Sequence, residues 1–383
     1  MSTTLRLPMP GGRTQAYVVN GAEPVTAAGG PLPRDAYAAA HVVADRLAEP
    51  SPAQLDWGAT LAYRHHLWRH GLGVAEAMDT AQRGTGLDWP ATRELIQRTG
   101  AEARASDGAL LCGANTDQIA GPARDLDEVI AAYLEQCQVI DETHAGIVLM
   151  ASRHLAALAR GADDYAHVYG TVLGQLTEPA VLHWLGTPFD PALEGYWGSS
   201  DPDEAVRLVA QLVKDHADRI RGIKVSLLDP DREIALRRQL PPGVRCYTGD
   251  DFAYPGLIKG DEHGHSDALL GIFDAIAPIA AAALRRLGGG DLAGYDRLLA
   301  PTVALSRHLF GAPTYNYKTG IVFLAWLAGH QDHFVMVGGL QGARSIPHLA
   351  RLLVLADEAG LLPDAELAAD RMRHLLAVAG ASA

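Results

Sequence analysis

The sequence predicts an α/β protein whose main body is a (β/α)₈ TIM barrel, with a short N-terminal β arm and a C-terminal helical extension. Short apolar runs alternate with segments of helical periodicity, as in parallel sheets whose strands are covered by helices. Eight such runs occur, which is the number of strands that closes a barrel of this type. The predicted domains are the arm at 1–34, the barrel at 35–289 and a helical layer at 290–383.

The arm is predicted from two short alternating pieces, Leu5–Leu7 and Gln15–Val19. Gly11-Gly12 separates them, and Gly29-Gly30 follows before the main body begins. Alternating residues joined by glycine turns are typical of a β-hairpin. We therefore expect a hairpin or arm that packs on the rest of the protein.

The predicted barrel strands are apolar runs that are rich in β-branched residues, leucine and alanine. They lie at 37–43, 72–78, 109–114, 145–150, 180–184, 222–229, 244–248 and 268–273. The clearest intervening helices are predicted at 55–70, 89–105 and 126–140. The second of these has Asp88 as its N-cap and Pro90 in its first turn. The segment after Gly288-Gly289-Gly290 is rich in alanine and leucine, and we expect it to form helices.

A lysine interrupts the sixth apolar run. Ile223 and Val225 fall on one face of a strand here, and Lys224 falls on the other. Because the apolar face packs under helices, Lys224 is predicted to point into the interior, where an ammonium is either paired or has a lowered pKa. A lysine with a depressed pKa is the usual nucleophile for a Schiff base with a carbonyl. The alternative is a strand-end lysine that reaches solvent or pairs with a carboxylate.

Composition excludes several classes of function. The net charge of −13, without a cluster of basic residues, argues against binding to nucleic acid or anionic membranes. The three cysteines form no CxxC motif, which fits reduced thiols rather than a disulfide framework or a zinc ribbon. The sequence shows no signal-like N-terminus and no long uncharged apolar run. We therefore expect a cytoplasmic protein.

Two segments resemble a known family. Gly222-Ile223-Lys224, followed by Tyr247-Thr248-Gly249-Asp250-Asp251, resembles the dihydrodipicolinate synthase and N-acetylneuraminate lyase superfamily. The chain is more closely similar to the bacterial DUF993 group within it, over residues 36–380, with the arm outside the resemblance. The resemblance implies a Schiff-base lysine on strand six at Lys224 and a site wall after strand seven. It also implies a C-terminal helical extension.

Two departures from the family pattern bear on the substrate. The Gly-Thr-Thr-Gly-Glu turn of the family holds the carboxylate of a 2-oxo acid. The corresponding turn here keeps one threonine, Thr80, and adds Asp79, with Arg83 nearby. The strand-five tyrosine that relays protons in the family falls at His183 or is lost, and a histidine can shuttle protons near neutral pH. Both changes favour a keto sugar or keto polyol over a simple 2-oxo acid.

These observations predict a class I aldolase or lyase of carbohydrate metabolism that needs no cofactor. Lys224 would form the Schiff base, and His183, or less favourably Glu76, would move protons. The predicted substrate-binding residues lie at or near strand ends: His41, Asp79, Thr80, Asn115, Asp250 and Asp251. The aromatic pair Tyr196-Trp197 would either cover the barrel mouth as a lid or pack in its loop. We expect a homo-oligomer, a dimer or tetramer, whose partner is a small carbonyl compound.

Two alternatives remain open at this point. The first is a sugar isomerase, epimerase or lyase that depends on a divalent metal, with Lys224 only polarising the substrate. Its ligands would come from His41, Glu76, Asp79, His183, Asp250 and His265. The histidine-dense loop 261–267, which contains His265, is read as a βα loop and is equally typical of a hydrated surface. The second alternative is a barrel that binds a ligand without catalysis.

Overall fold

A computed structural model describes residues 3–9, 11–23, 25, 31–49 and 51–381. Its contacts divide the chain into two units. The barrel unit comprises residues 34–40 and 72–271, and the helical unit comprises 1–33, 41–71 and 272–383. Residues 41–71 and 272–289, which fall in the predicted barrel segment, therefore group with the C-terminal helices.

Ten β-strands lie among the described residues. They are β1 (Thr4–Met9), β2 (Arg13–Val18), β3 (Ala36–Ala39), β4 (Gly73–Glu76), β5 (Leu110–Ala114), β6 (Gly146–Leu149), β7 (Ala180–Leu185), β8 (Ile220–Ser226), β9 (Arg245–Thr248) and β10 (Asp267–Leu270). Strands β3 to β10 follow one another in a closed barrel in which every pair is parallel, and β10 pairs with both β9 and β3. The predicted eight-stranded barrel is thereby confirmed.

The same part of the chain contains fourteen α-helices. They are α1 (Trp57–Arg69), α2 (Trp89–Ser106), α3 (Leu126–Asp141), α4 (Arg153–Leu158), α5 (Ala162–Gln175), α6 (Pro202–Asp215), α7 (Pro230–Arg237), α8 (Tyr254–Lys259), α9 (Ile272–Ala275), α10 (Ala277–Gly288), α11 (Leu292–Leu309), α12 (Tyr317–Leu327), α13 (Ile346–Glu358) and α14 (Ala365–Val378). Asp88 caps α2 by accepting a hydrogen bond from the Ala91 amide, as its position in the sequence predicts. No helix of the described ranges has the length and hydrophobicity needed to cross a membrane.

Several predicted strands extend past the observed ones, and the first and the last show why. The first was expected to reach residue 43, but β3 ends at Ala39. In the helical unit, the Val43 amide and carbonyl instead bond to Thr60 Oγ1 and the Asp56 amide, so Val43 pairs with the start of α1 rather than with a strand. The last strand ends at Leu270, because the remainder of that apolar run begins α9. Apolar composition alone does not separate these segments from the strands that precede them.

Side chains alternate between the barrel interior and the surrounding helices. One buried cluster contains interior residues of seven strands or strand ends: Tyr37, Ala39, Ala75, Met78, Leu111, Val148, Met150, Val181, Tyr247 and Leu269. Residues of the opposite parity, such as Cys112, Leu182 and Ile223, belong to a second cluster together with residues of α3, α5 and α6. This alternation decides which polar residues enter the barrel.

The N-terminal arm is an antiparallel hairpin of β1 and β2 within the helical unit. Its turn uses Gly11 and Gly12, both of which have positive φ. The Asp357 carboxylate of α13 accepts hydrogen bonds from Tyr17 Oη, from the backbone and side-chain amides of Asn20, and from the Gly21 amide. The predicted hairpin is therefore confirmed, and it packs on the C-terminal helices. Gly29-Gly30 lies outside the described residues.

Candidate active site

Lys224 lies in the middle of β8 and points into the barrel, as its position between Ile223 and Val225 predicts. Its register partners are His183 on β7 and Tyr247 on β9. The side chain is 7% exposed. None of the residues that the structure describes lies within hydrogen-bond or ion-pair distance of its amine. Burial lowers the pKa of Lys224 below its ordinary value of 10.5, although the carboxylates of Asp79 and Asp251 oppose this shift.

His183 lies beside Lys224 and is fully buried. Its Nε2 lies 3.2 Å from Ser226 Oγ, and its Nδ1 has no hydrogen-bond partner among the described residues. Burial and, secondarily, the Lys224 charge hold the pKa of His183 well below 6.5, so the imidazole is neutral. Ser226 was not predicted to belong to the site. It lies two residues after Lys224 on the same strand face, so the alternation of the strand could have identified it.

The chain after β9 passes very close to Lys224. A Cβ atom on Gly249 would lie 2.1 Å from Ser226 Oγ and 2.8 Å from Lys224 Cε, so only glycine fits there. The next two residues differ in their roles. Asp250 accepts hydrogen bonds from the amides of Phe252 and Ala253 through Oδ1 and so closes the turn. The Asp251 carboxylate acts electrostatically on Lys224.

Glu76, the other predicted proton carrier, faces away from Lys224. Its neighbour Ala75 belongs to the interior cluster, so alternation directs Glu76 towards α2. There Glu76 Oε2 accepts a hydrogen bond of 2.7 Å from Thr99 Oγ1, and Oε1 accepts one of 3.0 Å from the Ala77 amide. These contacts describe a carboxylate that anchors a helix, and the structure does not bring it to the amine.

A cavity of about 280 Å³ lies at the carboxyl ends of β4 to β7. Its lining residues are Asp79, Arg83, Gly84, Asn115, Asp117, Met150, Ala151, Arg153, His154, Leu185 and Asp190. Asp79, in a short 3₁₀ turn after β4, connects this cavity with Lys224. Its side chain lines the cavity, and its charge raises the pKa of Lys224. Lys224 itself is not among the lining residues. Thr80 follows Asp79 and is buried.

Arg83 borders the cavity but has no hydrogen-bond donor to spare. Its Nε and Nη2 donate to the two carboxylate oxygens of Asp117. The remaining bonds go from Nη2 to Gln136 Oε1 and from Nη1 to the carbonyls of Gly113 and Ala77. All five N–H groups of the guanidinium are thus used. Arg83 therefore offers nothing to a substrate carboxylate in this conformation.

A family model described as "Protein of unknown function (DUF993)" matches residues 5–381. The chain belongs to this family. The match begins within the β arm, so the expectation that the arm lies outside the resemblance was wrong. No protein of curated function matches the chain.

Solved structures that are similar to this DUF993 chain include several from the dihydrodipicolinate synthase family. One is YagE, a prophage protein from E. coli K12 whose structure was solved in complex with pyruvate. It shares 18% sequence identity with this chain, the match covers 86% of this chain and 99% of YagE, and the TM-score is 0.66. The enzyme from Aquifex aeolicus shares 12% identity over 86% and 99% of the two chains, with a TM-score of 0.66. The enzyme from Bacteroides thetaiotaomicron shares 14% sequence identity, the match covers 85% of this chain and 99% of that enzyme, and the TM-score is 0.65. At these identities the likeness concerns the fold.

Among the other predicted site residues of this DUF993 chain, His41 lies in the helical unit. Its Nδ1 is 2.8 Å from Asp274 Oδ2 and its Nε2 is 3.2 Å from Gln331 Oε1, so both ring nitrogens have partners there. Asn115 lines the cavity, and its Oδ1 accepts a hydrogen bond from the Thr116 amide. His41 is therefore held by its own unit, whereas Asn115 remains beside the cavity.

The histidine-rich loop at 261–267 is not a βα loop, contrary to the sequence-based interpretation. It joins α8 to β10, so His265 lies at the amino ends of the barrel strands, and Lys224 approaches the carboxyl end of β8. Across the described ranges, no group of three or more His, Cys, Asp or Glu residues is arranged to hold a metal ion. The alternative ligand set of His41, Glu76, Asp79, His183, Asp250 and His265 is not assembled in this structure.

The aromatic pair Tyr196-Trp197 is buried and does not form a lid. Tyr196 Oη accepts a hydrogen bond of 3.0 Å from the Ser152 amide and lies 2.8 Å from Tyr169 Oη. The Trp197 ring packs against Tyr169 and Trp184. These aromatic residues fill the layer between the strands and the helices.

Proposed function

We propose that this protein is a Schiff-base lyase or aldolase in which Lys224 attacks the carbonyl carbon of a small ketone or aldehyde. The observation that carries the proposal is the environment of the Lys224 amine. It is buried in the barrel interior, has no hydrogen-bond partner among the described residues and has a lowered pKa. A neutral amine is the form that attacks a carbonyl. The similar fold of YagE, whose structure contains pyruvate, supports a carbonyl ligand in this kind of barrel.

The chemistry follows from the neighbours of the amine. The amine nitrogen forms a bond to the carbonyl carbon, and the carbonyl oxygen leaves as water after it has received two protons. In a C–C cleavage the resulting iminium accepts the electron pair of the bond that breaks and becomes an enamine. In a C–O cleavage the iminium first accepts the electron pair of the adjacent C–H bond as its proton is removed, and the enamine then expels the oxygen, which keeps the pair of the C–O bond. His183 is neutral and adjacent, so it can take the proton that a substrate hydroxyl releases when a C–C bond is cleaved. Ser226 Oγ, within reach of His183 Nε2, holds the imidazole in position.

The surroundings favour a hydroxyl-rich substrate over a simple 2-oxo acid. A carboxylate would need a cation or free amides. All N–H groups of Arg83 already have acceptors, and Arg153, the other arginine of the cavity, is paired with Asp190 through its Nε. The cavity instead presents the carboxylate of Asp79 and the side chain of Asn115, which are partners for hydroxyl groups. We infer that the substrate is a keto sugar or keto polyol.

Borohydride trapping tests this function directly. Each candidate carbonyl compound is mixed with the protein, the iminium is reduced, and the adduct is located by mass spectrometry of peptides. The chain has only four lysines, Lys214, Lys224, Lys259 and Lys318, so the site is readily assigned. We expect an adduct on Lys224 with a keto sugar or keto polyol and none with pyruvate at the same concentration.

Two variants control this experiment. Lys224→Arg should give no adduct, whereas Lys214→Arg, which changes an exposed lysine of α6, should behave as the unmodified protein. An adduct with pyruvate but with none of the sugars would refute the substrate class and leave the chemistry intact. The absence of an adduct at Lys224 with every compound would refute the lyase itself.

A further inference from the structure

We propose that Glu233 is a positioning residue that holds the segment Gly249–Asp251 against Lys224 through the hydroxyl group of Thr248. The inference rests on the proposed role of Lys224. Glu233 lies on α7, whereas Lys224 lies on β8 and Thr248 lies on β9. Nothing in its local sequence marks it as part of a site.

The Glu233 carboxyl group is buried, with 1% of the residue exposed. Its Oε2 accepts a hydrogen bond of 2.9 Å from Thr248 Oγ1, and its Oε1 lies 2.6 Å from Ser266 Oγ. Thr248 is the last residue of β9, and Ser266 directly precedes β10. A buried acid with both oxygens bonded to two neighbouring strands has a fixed position, because each lost hydrogen bond would leave a buried polar group unsatisfied.

The Thr248 hydroxyl transmits this position to the next residues. A hydroxyl has one proton to donate, and here that proton is directed at Glu233. The lone pairs of Thr248 Oγ1 are thereby oriented to accept a hydrogen bond of 3.1 Å from the Asp250 amide. Glu233 thus determines the rotation of the hydroxyl, and the hydroxyl holds the backbone at Asp250.

The residues on either side of Asp250 are those that meet the lysine. Gly249 packs against the Cε of Lys224 and against Ser226 Oγ, and its amide donates to the Val225 carbonyl at 2.8 Å. The Asp251 carboxylate raises the pKa of Lys224 against the effect of burial. A shift of the Asp250 amide would therefore change both the packing around the amine and the charge that it experiences.

The experiment replaces the Thr248 hydroxyl with a methyl group of similar volume. Thr248→Val deletes the link, Thr248→Ser retains it, and Ser266→Ala removes the other hydroxyl bonded to Glu233 without touching the segment 249–251. The lysines are reductively methylated with ¹³C-formaldehyde, and the Lys224 resonance, assigned by its loss in Lys224→Arg, is followed by NMR as a function of pH. In parallel, the rate of borohydride-trapped adduct formation is measured with the carbonyl compound that labels the unmodified protein.

We expect Thr248→Val to lower the pKa of Lys224 by roughly 0.5–1 unit, because Asp251 is no longer held close. We expect it to slow adduct formation by about tenfold, since the amine loses its orientation. Thr248→Ser and Ser266→Ala should stay within about twofold of the unmodified protein. Thermal unfolding of each variant checks that the barrel is intact.

The NMR titration needs no turnover, so the two proposals can fail separately. A Lys224 pKa and a trapping rate in Thr248→Val that match those of the unmodified protein would overturn the role of Glu233. A lowered Lys224 pKa in Thr248→Val, with no adduct in any form of the protein, would refute the Schiff-base function and support the positioning role. A Thr248→Ser variant as impaired as Thr248→Val would also overturn the proposal, because its hydroxyl is present.

Discussion

Lys224 and Arg83 are both buried basic side chains of the barrel unit, and their surroundings differ in one decisive respect. Arg83 is 3% exposed and Lys224 is 7% exposed. The guanidinium of Arg83 donates all of its hydrogens to Asp117, Gln136 and two backbone carbonyls. The amine of Lys224 has no such partner in the described part of the chain, and only the more distant charges of Asp79 and Asp251 favour its ionised form.

The difference shows how the two basic side chains serve the protein. A buried charge with a full set of partners ties elements together, and here Arg83 connects the ends of β4 and β5 to α3 through Gln136. A buried amine without partners contributes unfavourably to folding. Such a group is retained for chemistry rather than for stability, which is the role that we propose for Lys224.

Matched substitutions with methionine should separate the two basic side chains most clearly. Arg83→Met removes the cation that pairs with the partly buried Asp117 carboxylate and the donors to Gln136 and two backbone carbonyls, so we expect it to lower the free energy of unfolding by about 3–5 kcal/mol. Lys224→Met removes an amine that has no partner to lose, so it should leave the stability unchanged or raise it by about 1 kcal/mol. Urea unfolding of the two variants measures both values. If Lys224→Met lost as much stability as Arg83→Met, the conclusion that Lys224 contributes nothing favourable to folding would be wrong.

Glu233 is intermediate between Arg83, which has a full set of partners, and Lys224, which has none within the described ranges. This buried acid has two hydrogen-bond partners, but both are neutral hydroxyl groups. Burial raises the pKa of Glu233 from 4.5 to about 8, with Asp250 adding to the shift and Ser266, Thr248 and Arg237 opposing it. The folded protein therefore keeps a proton between about pH 4.5 and 8 that the unfolded chain releases, so the contribution of Glu233 to stability is lost as the pH rises through this window.

Glu233→Gln has no such proton. We expect the stability of this variant relative to the unmodified protein to increase with pH, by up to about 4 kcal/mol between pH 5 and pH 8, and then to level off. Urea unfolding at a series of pH values gives the two curves. Parallel curves across this range would show that the acid is ionised in the folded protein and would contradict the raised pKa.

The smallest effect is predicted for the carboxylates near the two basic side chains, Asp79 near Lys224 and Asp117 near Arg83. Asp79→Asn removes a charge that raises the pKa of Lys224, so this pKa should fall and the onset of adduct formation should move to lower pH. At neutral pH we expect a two- to tenfold faster reaction with a simple ketone, since more of the amine is neutral. Asp117→Asn should instead destabilise the protein and leave the pH profile unmoved. A pH–rate series on both variants checks this.

The local pattern of the sequence was sufficient for the barrel and for the direction of Lys224. Alternation along β8 places the lysine inside, and the same rule applied to β4 would have shown that Glu76 faces α2. Partners distant in sequence were beyond such reasoning. Arg83 meets Asp117 and Gln136, which follow it by 34 and 53 residues. Thr248 and Ser266 follow Glu233 by 15 and 33 residues. Only the folded chain brings these residues together.

The close passage of Gly249 has a consequence for the history of the family. A methyl group at this position would occupy the space of the Lys224 methylenes and the Ser226 hydroxyl, so the two strands can change only in concert. A descendant that exchanged both Lys224 and Ser226 for shorter residues would have room for alanine at 249. Once it had done so, steric exclusion would bar the return of the lysine, and the loss of the amine would become irreversible.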